Sequence, residues 1–233
     1  MPRYDFTAGQ ILTAAQMDAL SDQTVMTFAG TAARGSAIPT PVEGMVTYLN
    51  DANGVSIYDG SAWKRVLNTT GSILQVVSTT KTDTFSSSLA SGAFADITGL
   101  SATITPTSAT SKILIFATIN GGTDSGSQQN AFAVRMLRDS TAIAIGDASS
   151  SRGRISSGTN AVGSNDGTQR GNLSTSFLDS PATTSAITYK VQIGNVHGSL
   201  STLTMYVNRT AGDGDSAANG RASSTITIME VAA

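Results

Sequence analysis

The 233-residue sequence has no cysteine and only one histidine, His197. Without cysteine the chain can form neither disulfides nor thiolate metal sites, and it has no cysteine nucleophile. His197 lies in a predicted turn, so we expect a surface histidine rather than a metal ligand or the base of a Ser-His-Asp triad. Residues 212–216 lack the closing glutamate of a calcium loop. The sequence therefore predicts no enzyme, no metal site and no cofactor.

Charge and long apolar runs are also scarce. Charged residues make up 13% of the chain and the net charge is -2, so there is no basic field to hold nucleic acid or an anionic membrane. No apolar run approaches the roughly 20 residues that cross a bilayer, and residues 1–5 lack the apolar core of a signal peptide. We expect a soluble protein, made in the cytoplasm, that recognises its partners by shape.

One segment, within residues 1–30, has a clear helical pattern. Serine, threonine, glycine and alanine dominate the composition, which favours turns and pleated sheets over helices. Thr13 and Gln16, however, have the spacing of a capping box, and this predicts the only good helix of the chain. At about 10 to 13 residues an isolated helix is marginal in water, so we expect it to dock on another protein. The predicted attachment residues are Phe6, Ile11, Leu12, Met17 and Leu20.

Residues 31–67 are predicted to form a small β-meander. Three short strands, at 44–50, 55–59 and 62–67, alternate with Asp/Asn/Gly turns. Three such strands are barely stable alone, which favours oligomerisation. The large aromatic rings available for its core are Tyr48, Tyr58 and Trp63, and we expect Trp63 to pack against one of the tyrosines.

After a linker at 68–72, residues 73–233 are predicted to form a jelly-roll-like antiparallel β-sandwich of about eight strands. Its central strand is 111–119, because apolar residues occupy both of its faces. Each face should then be covered, either by the sandwich or by another subunit. One face carries Ile113, Ile115 and Ile119, and the other carries Leu114 and Phe116. Further strands are predicted at 73–79, 100–104, 132–136, 142–145, 187–193, 203–207 and 225–229.

Two long polar loops, 146–172 and 210–222, interrupt the strands. Loops of more than about 12 to 15 residues are usually either functional or disordered, and the sequence leaves both alternatives open. Arginine side chains in such loops match carboxylates, which acidic glycans carry. The predicted contact residues are Arg152, Arg154 and Arg170 in the first loop, and Arg209, Asp213, Asp215 and Arg221 in or beside the second.

Motifs along most of the chain resemble those of virion proteins. In the N-terminal third they are Phe6-Thr7-Ala8-Gly9-Gln10-Ile11-Leu12-Thr13-Ala14-Ala15-Gln16-Met17, Ala32-Ala33-Arg34, Gly44-Met45-Val46-Thr47-Tyr48-Leu49 and Tyr58-Asp59-Gly60-Ser61-Ala62-Trp63. This part resembles the head-proximal part of bacteriophage structural proteins, especially those of marine phages. The segments 71–76, 111–115 and 224–230 resemble the terminal domain of phage tail fibres.

The resemblance implies a non-enzymatic phage virion protein, assembled in the host cytoplasm. Our first hypothesis is a short trimeric tail fibre that attaches to other virion proteins through its N-terminal segment and contacts a host surface glycan or protein through its sandwich. The long coiled or β-helical shaft of a large fibre is absent. The alternatives are a capsid decoration (cement) protein or a head fibre. A capsule-degrading enzyme ranks last, because it needs paired carboxylates and the acids here are scattered.

Overall fold

The structure, a computed structural model, is mainly β, as predicted. It describes residues 9, 11–21, 25–66, 70–124, 130–160, 170–198 and 202–233. The chain divides into two compact units, Met1–Thr69 and Thr70–Ala233. Among the described residues the longer helix has eight residues, and none is long and apolar enough to span a membrane.

Unit 1 contains the predicted helix and the predicted meander. Its elements are α1 (Ala14–Ser21), β1 (Met26–Phe28), α2 (Thr31–Ala37), β2 (Val46–Leu49), β3 (Gly54–Tyr58) and β4 (Trp63–Arg65). α1 begins at the capping box: the backbone N–H of Thr13 donates to Gln16 Oε1 at 2.9 Å, and the N–H of Gln16 donates to Thr13 Oγ1 at 3.3 Å. β2, β3 and β4 pair antiparallel.

Two elements of unit 1 differ from the prediction. The expectation of a single helix is wrong, because α2 forms a second one after Gly30. A Cβ at Gly30 would meet the carboxylate of the exposed Asp51, so a larger residue there would displace that side chain. β1 adds a fourth strand, which pairs parallel with β2. Both elements are too short to produce a recognisable hydrophobic period.

The small core of unit 1 contains Trp63 between a tyrosine and a cation. Its ring centroid lies 5.4 Å from that of Tyr58, and the Arg34 guanidinium lies 4.3 Å from the Trp63 ring centroid. Arg34 is buried and donates to Thr47 Oγ1 at 3.5 Å. The hydroxyl of Tyr48 donates a hydrogen bond to Asn53 Oδ1. Trp63 therefore packs against Tyr58 and Arg34, and the buried arginine is a feature that the sequence did not predict.

Unit 2 contains eleven strands among the described residues, in sheets of six and five. They are β5 (Ile73–Lys81), β6 (Phe85–Ala90), β7 (Phe94–Ile104), β8 (Lys112–Thr123), β9 (Asn130–Arg138), β10 (Thr141–Ile143), β11 (Ser157–Asn160), β12 (Gly171–Asp179), β13 (Ile187–Asn195), β14 (Thr202–Val207) and β15 (Ser224–Val231).

The strand order of unit 2 confirms the jelly-roll prediction. In the larger sheet the order β5-β15-β8 continues to β12, and in the smaller sheet β7-β13-β9 continues to β11. The first strand thus lies beside the last, and the inner strands nest in the same way, which is the double Greek key of a jelly roll. β14 and β6 extend the larger sheet. The hydrophobic core draws its side chains from both sheets.

The central strand β8 has one buried face and one open face. Ile113, Ile115 and Ile119 are completely buried in the core. On the other face Leu114 is half-buried, and Phe116 remains 45% exposed. The expectation that both faces are covered is therefore met on only one face of the single chain.

Three strands of unit 2 were not predicted: β6, β11 and β12. β11 lies inside the segment 146–172 that the sequence assigned to a loop. β6 and β12 place serine at several positions, as in the run Phe85-Ser86-Ser87-Ser88, and a serine-rich strand lacks the apolar alternation on which the prediction depended. The sandwich is therefore wider than the eight strands expected.

The expectation that His197 is a surface residue is wrong, since it is 2% exposed. Its backbone N–H donates to Asn195 Oδ1 at 3.0 Å, and Ser91 Oγ donates to its carbonyl at 2.8 Å. Asn195 in turn donates through Nδ2 to the carbonyl of Leu89 at 2.9 Å. Buried polar groups need such partners, so this histidine belongs to the connection between β13 and the β6–β7 turn.

The carboxylate of Glu230 connects three segments at one end of the larger sheet. Glu230 is completely buried, its Oε1 accepts from the N–H and the hydroxyl of Thr107, both at 2.7 Å, and its Oε2 accepts from Gln75 Nε2 at 2.6 Å. Burial raises the pKa of Glu230, but the hydrogen bonds from Gln75 and Thr107 outweigh burial and hold the pKa below its ordinary value.

The arrangement around Trp63 predicts that Trp63→Ala destabilises unit 1 by about 2 kcal/mol, less than the roughly 3 to 5 kcal/mol of a fully buried tryptophan, because the ring is half-buried. Hydrogen exchange of residues 46–65 in the full chain measures this effect. Lys64→Ala, an exposed position on the same strand, is the matched control. Equal protection in the two variants would contradict the assignment of Trp63 to the core.

Glu230 predicts acid-sensitive stability of unit 2. Because its folded-state pKa lies below the unfolded-state value, the stabilisation is present above about pH 4.3 and is lost as the pH falls through the lowered value. Glu230→Gln should remove about 1.5 to 3 kcal/mol at pH 7, since an amide cannot accept all of these donors. Denaturant unfolding from pH 7 to pH 3 measures both effects.

The second glutamate of the chain, the exposed Glu43, provides the control substitution Glu43→Gln. That variant should keep the acid dependence of the wild type, whereas the difference between wild type and Glu230→Gln should shrink as the pH falls. A difference that stays constant with pH would show that the carboxylate charge does not stabilise the fold.

Candidate functional site

Asn208 holds the base of the loop that follows β14. It adopts a left-handed conformation with φ of 62°, which asparagine tolerates better than most residues, and it is completely buried. Its Nδ2 donates to the carbonyls of Lys81 and Asp83 at 2.8 and 2.9 Å, and its Oδ1 accepts from Ser224 Oγ at 2.6 Å. These bonds fix where the loop leaves and rejoins the larger sheet.

Four of the predicted contact residues lie together directly above this base. Asp213 pairs with two arginines: Arg209 Nη1 lies 3.0 Å from its Oδ2, and Arg221 Nη2 lies 2.8 Å from its Oδ1. Arg170, which precedes β12, donates to the carbonyl of Gly220 beside Arg221. We call Arg170, Arg209, Asp213 and Arg221 the arginine cluster.

The arginine cluster has more positive than negative charge, because Arg209 and Arg221 pair with the one carboxylate and Arg170 adds a third guanidinium at Gly220. Arg209 also lies over the ring of Tyr206, with 4.2 Å between its Cζ and the ring centroid. The Arg221 side chain is 55% exposed, and a guanidinium carries five N–H donors. The cluster can therefore donate to an anionic or hydroxyl-bearing ligand while Asp213 holds Arg209 and Arg221 in place.

The loop 210–222 is internally bonded. Thr210 Oγ1 donates to Asn219 Oδ1 at 3.1 Å, and Asn219 Nδ2 donates to the carbonyl of Gly214 at 3.1 Å. A short 3-10 helix, Ala217–Asn219, follows Ser216, which accepts from the N–H of Ala218 at 3.4 Å. These hydrogen bonds within the loop hold the backbone that carries Asp213 and Arg221.

The other predicted contact residues lie outside the arginine cluster. Arg152 Nη1 donates to Ser149 Oγ at 2.9 Å, and Arg154 Nε donates to the carbonyl of Gly146 at 2.7 Å, and both bonds lie within the arginines' own loop. Asp215 is exposed beside the cluster. Residues 161–169 of the first predicted loop lie outside the described residues.

The predicted attachment residues belong to the start of unit 1. Ile11 is 92% exposed and Met17 is 52% exposed, while Leu12 is half-buried. Leu20 lies on α1, and Phe6 lies outside the described residues. Large apolar side chains this exposed at a helix start are available to a partner.

The arginine cluster lies at the end of unit 2 opposite to where the chain enters it. At the entry end the N–H of Gly71 donates to the carbonyl of Ala232 at 2.8 Å, and β5 begins beside the last strand. At the other end of β5 the Lys81 carbonyl binds Asn208. The nine residues of β5 at about 3.3 Å each separate the two ends by roughly 25 to 30 Å.

A second polar cluster, formed by Asp179, Tyr189 and Arg138, connects three strands of unit 2. The buried Asp179 accepts from Tyr189 Oη at 2.7 Å, and Arg138 Nη1 lies 3.0 and 3.1 Å from its two carboxylate oxygens. Burial and the bond to Asp179 raise the pKa of Tyr189 far above its ordinary value, so the phenol stays neutral. Across the described part of the chain, no three or more histidine, aspartate or glutamate side chains group in a way that could hold a metal ion.

Comparisons with known proteins are sparse. No family model and no curated protein matches the sequence. Among solved structures, the chain is similar to a chain of infectious bursal disease virus, Gx strain, with 14% identity, a TM-score of 0.37, and coverage of 77% of this chain and 43% of that one. The VP2 subviral particle of the same virus gives 14% identity, a TM-score of 0.36, and coverage of 75% and 41%.

This chain thus spans less than half the length of the viral chains it matches.

The geometry of the arginine cluster predicts the effect of Asp213→Asn. Arg209 and Arg221 lose their shared carboxylate, so exchange of the backbone amides of 210–222 should become faster, while global stability changes by no more than about 1 kcal/mol because the pairs are partly exposed. Hydrogen exchange measures the first effect and denaturant unfolding the second. Asp215→Asn, the same change in the same loop, should leave exchange unchanged. Equal acceleration in both variants would contradict the organising role of Asp213.

Proposed function

We propose that this protein is a non-enzymatic virion structural protein, a short trimeric phage tail fibre whose N-terminal segment attaches to the particle and whose sandwich contacts the host. The observation that carries the proposal is the position of the arginine cluster at the end of unit 2 opposite to the chain entry. A host-contact site needs this arrangement, because the anchored side and the binding side of a fibre domain must be different.

The chemistry of the cluster supports a carboxylated surface glycan as the ligand. Arginine forks match carboxylates in two-point geometry, and the aromatic ring of Tyr206 under Arg209 offers further apolar area beside the charges. The jelly roll is a fold used by viral capsid and lectin domains alike, so a glycan-binding virion domain is compatible with it. The open apolar side chains Ile11 and Met17 support particle attachment through the start of unit 1.

A capsid decoration protein or head fibre is the second candidate, favoured by the internal pairing of the loop. Asp213 already accepts from both Arg209 and Arg221, and Arg170 already binds Gly220. Such pairing also suits a loop whose task is to stay folded on a particle surface and bind nothing. The two candidates differ in what happens when the exposed arginines are removed.

Removing Arg170 and Arg221 together, as the double variant Arg170→Ala/Arg221→Ala, should lower adsorption to host cells at least about tenfold, since charged hydrogen bonds contribute about 1.5 to 3 kcal/mol. The measurement is adsorption of particles that carry the variant chain. Arg152→Ala/Arg154→Ala, which removes the same charge from the other loop, should adsorb like wild type. Particles that contain the first variant and adsorb normally would favour the decoration protein.

A further inference from the structure

The outer face of the six-stranded sheet has almost no charge. On β5, β15, β8 and β12 the outward residues form rows across the strands, which the register of the sheet defines. We call these fifteen positions the uncharged face; they are Ile73, Val76, Ser78 and Thr80 on β5, Thr225, Thr227, Met229 and Val231 on β15, Lys112, Leu114, Phe116 and Thr118 on β8, and Ser174, Ser176 and Leu178 on β12. Lys112, at the border, is its one charged residue.

One complete row of the uncharged face is apolar. Val76 lies opposite Met229, Met229 opposite Leu114, and Leu114 opposite Leu178. Val76 is 55% exposed and Leu178 46%, and Phe116 in the next row is 45% exposed. Together they form a contiguous apolar patch across four strands, and such patches mark interaction surfaces.

The outer face of the five-stranded sheet shows the opposite chemistry. Lys190 Nζ lies 2.6 Å from Asp96 Oδ2, and Gln192 Nε2 donates to Asp96 Oδ1 at 2.7 Å. Arg135 donates to Gln192 Oε1 at 2.6 and 3.1 Å and lies over the ring of Phe94. These charged and polar side chains form one hydrogen-bonded network on this face, as is typical of a solvent-exposed surface. The two outer faces of one sandwich therefore differ, and the difference calls for a partner on the uncharged face.

We propose that the uncharged face is the surface by which copies of this chain contact one another. A partner selected by charge would find almost no complement here, whereas copies of a face whose one charge is the bordering Lys112 approach one another with little repulsion. Four strands about 4.8 Å apart and eight residues of about 3.3 Å each give roughly 500 Å² per copy. Three such faces turned toward a threefold axis bury about 1,500 Å² in the whole trimer.

The uncharged face has a shallow depression beside Phe116. Phe116, Thr118, Ser174 and Ser176 line it between β8 and β12. It offers space for an apolar side chain of the next copy beside an apolar ring. The inference rests on the homotrimer of the proposed function and names the surface that holds the copies together.

A matched pair of substitutions tests the inference. Thr227 on β15 and Thr188 on β13 are both half-buried and lie on interior strands, one on each outer face of the sandwich. Each shares a hydrogen bond with a hydroxyl on the next strand: Thr227 with Ser78 at 2.8 Å, and Thr188 with Thr103 at 2.9 Å. Thr227→Arg should dissociate the oligomer, with at least a tenfold rise in the dissociation constant, and Thr188→Arg should not. Light scattering of the full chain at micromolar concentration gives the mass, and circular dichroism shows whether each variant is folded.

Phe116→Asp is the second variant, because its half-exposed ring can be replaced with little loss inside one copy. Dissociation by Thr227→Arg and Phe116→Asp, with an intact Thr188→Arg oligomer, supports the inference. An oligomer that survives both variants would overturn the uncharged face as the contact and leave the homotrimer standing. A wild-type monomer would overturn both, while the adsorption of particles would still test host contact by itself.

Discussion

The structure depends on the two unlike faces of β8. Its inward residues Ile113, Ile115 and Ile119 are completely buried between the sheets, where close packing leaves no room for a polar substitution. Because side chains alternate along a strand, the same backbone must direct Leu114 and Phe116 to the opposite side. The hydrophobic core therefore lies on one side of the sheet, and the other side is an open face with an apolar row and almost no charge.

Alternation is also why the sequence predicted the interior strands well. β15 throughout, and β13 as far as Ile193, bury every second residue, so their apolar positions repeat with the period of a strand. β12 carries serine and threonine at the edge of its sheet, and β1 has three residues, so neither provides such a period. The jelly-roll order depends on the pairing of the last strand with the first, which is a long-range contact. Local sequence patterns do not show this pairing, and only the number of strands favoured a jelly roll.

The candidate site was predictable in its residue types and not in its geometry. Charged residues are few, so arginine and aspartate in long polar loops stand out from the sequence. The contact of Arg170 with Gly220 joins positions 50 residues apart, and it depends on β12 being a strand, which the sequence did not predict. Asn208 and His197 are polar residues in short connections, and their burial comes from tertiary packing alone.

The central claim is that one end of the sandwich meets the host, one face meets other copies, and the charged face meets water. A cryo-electron microscopy map of particles that incorporate this chain tests it most directly. The account predicts three sandwiches with their uncharged faces turned toward one another and the arginine cluster at the free end. A map in which Phe116 and Leu178 face solvent, or in which Arg221 lies against the particle, would contradict it.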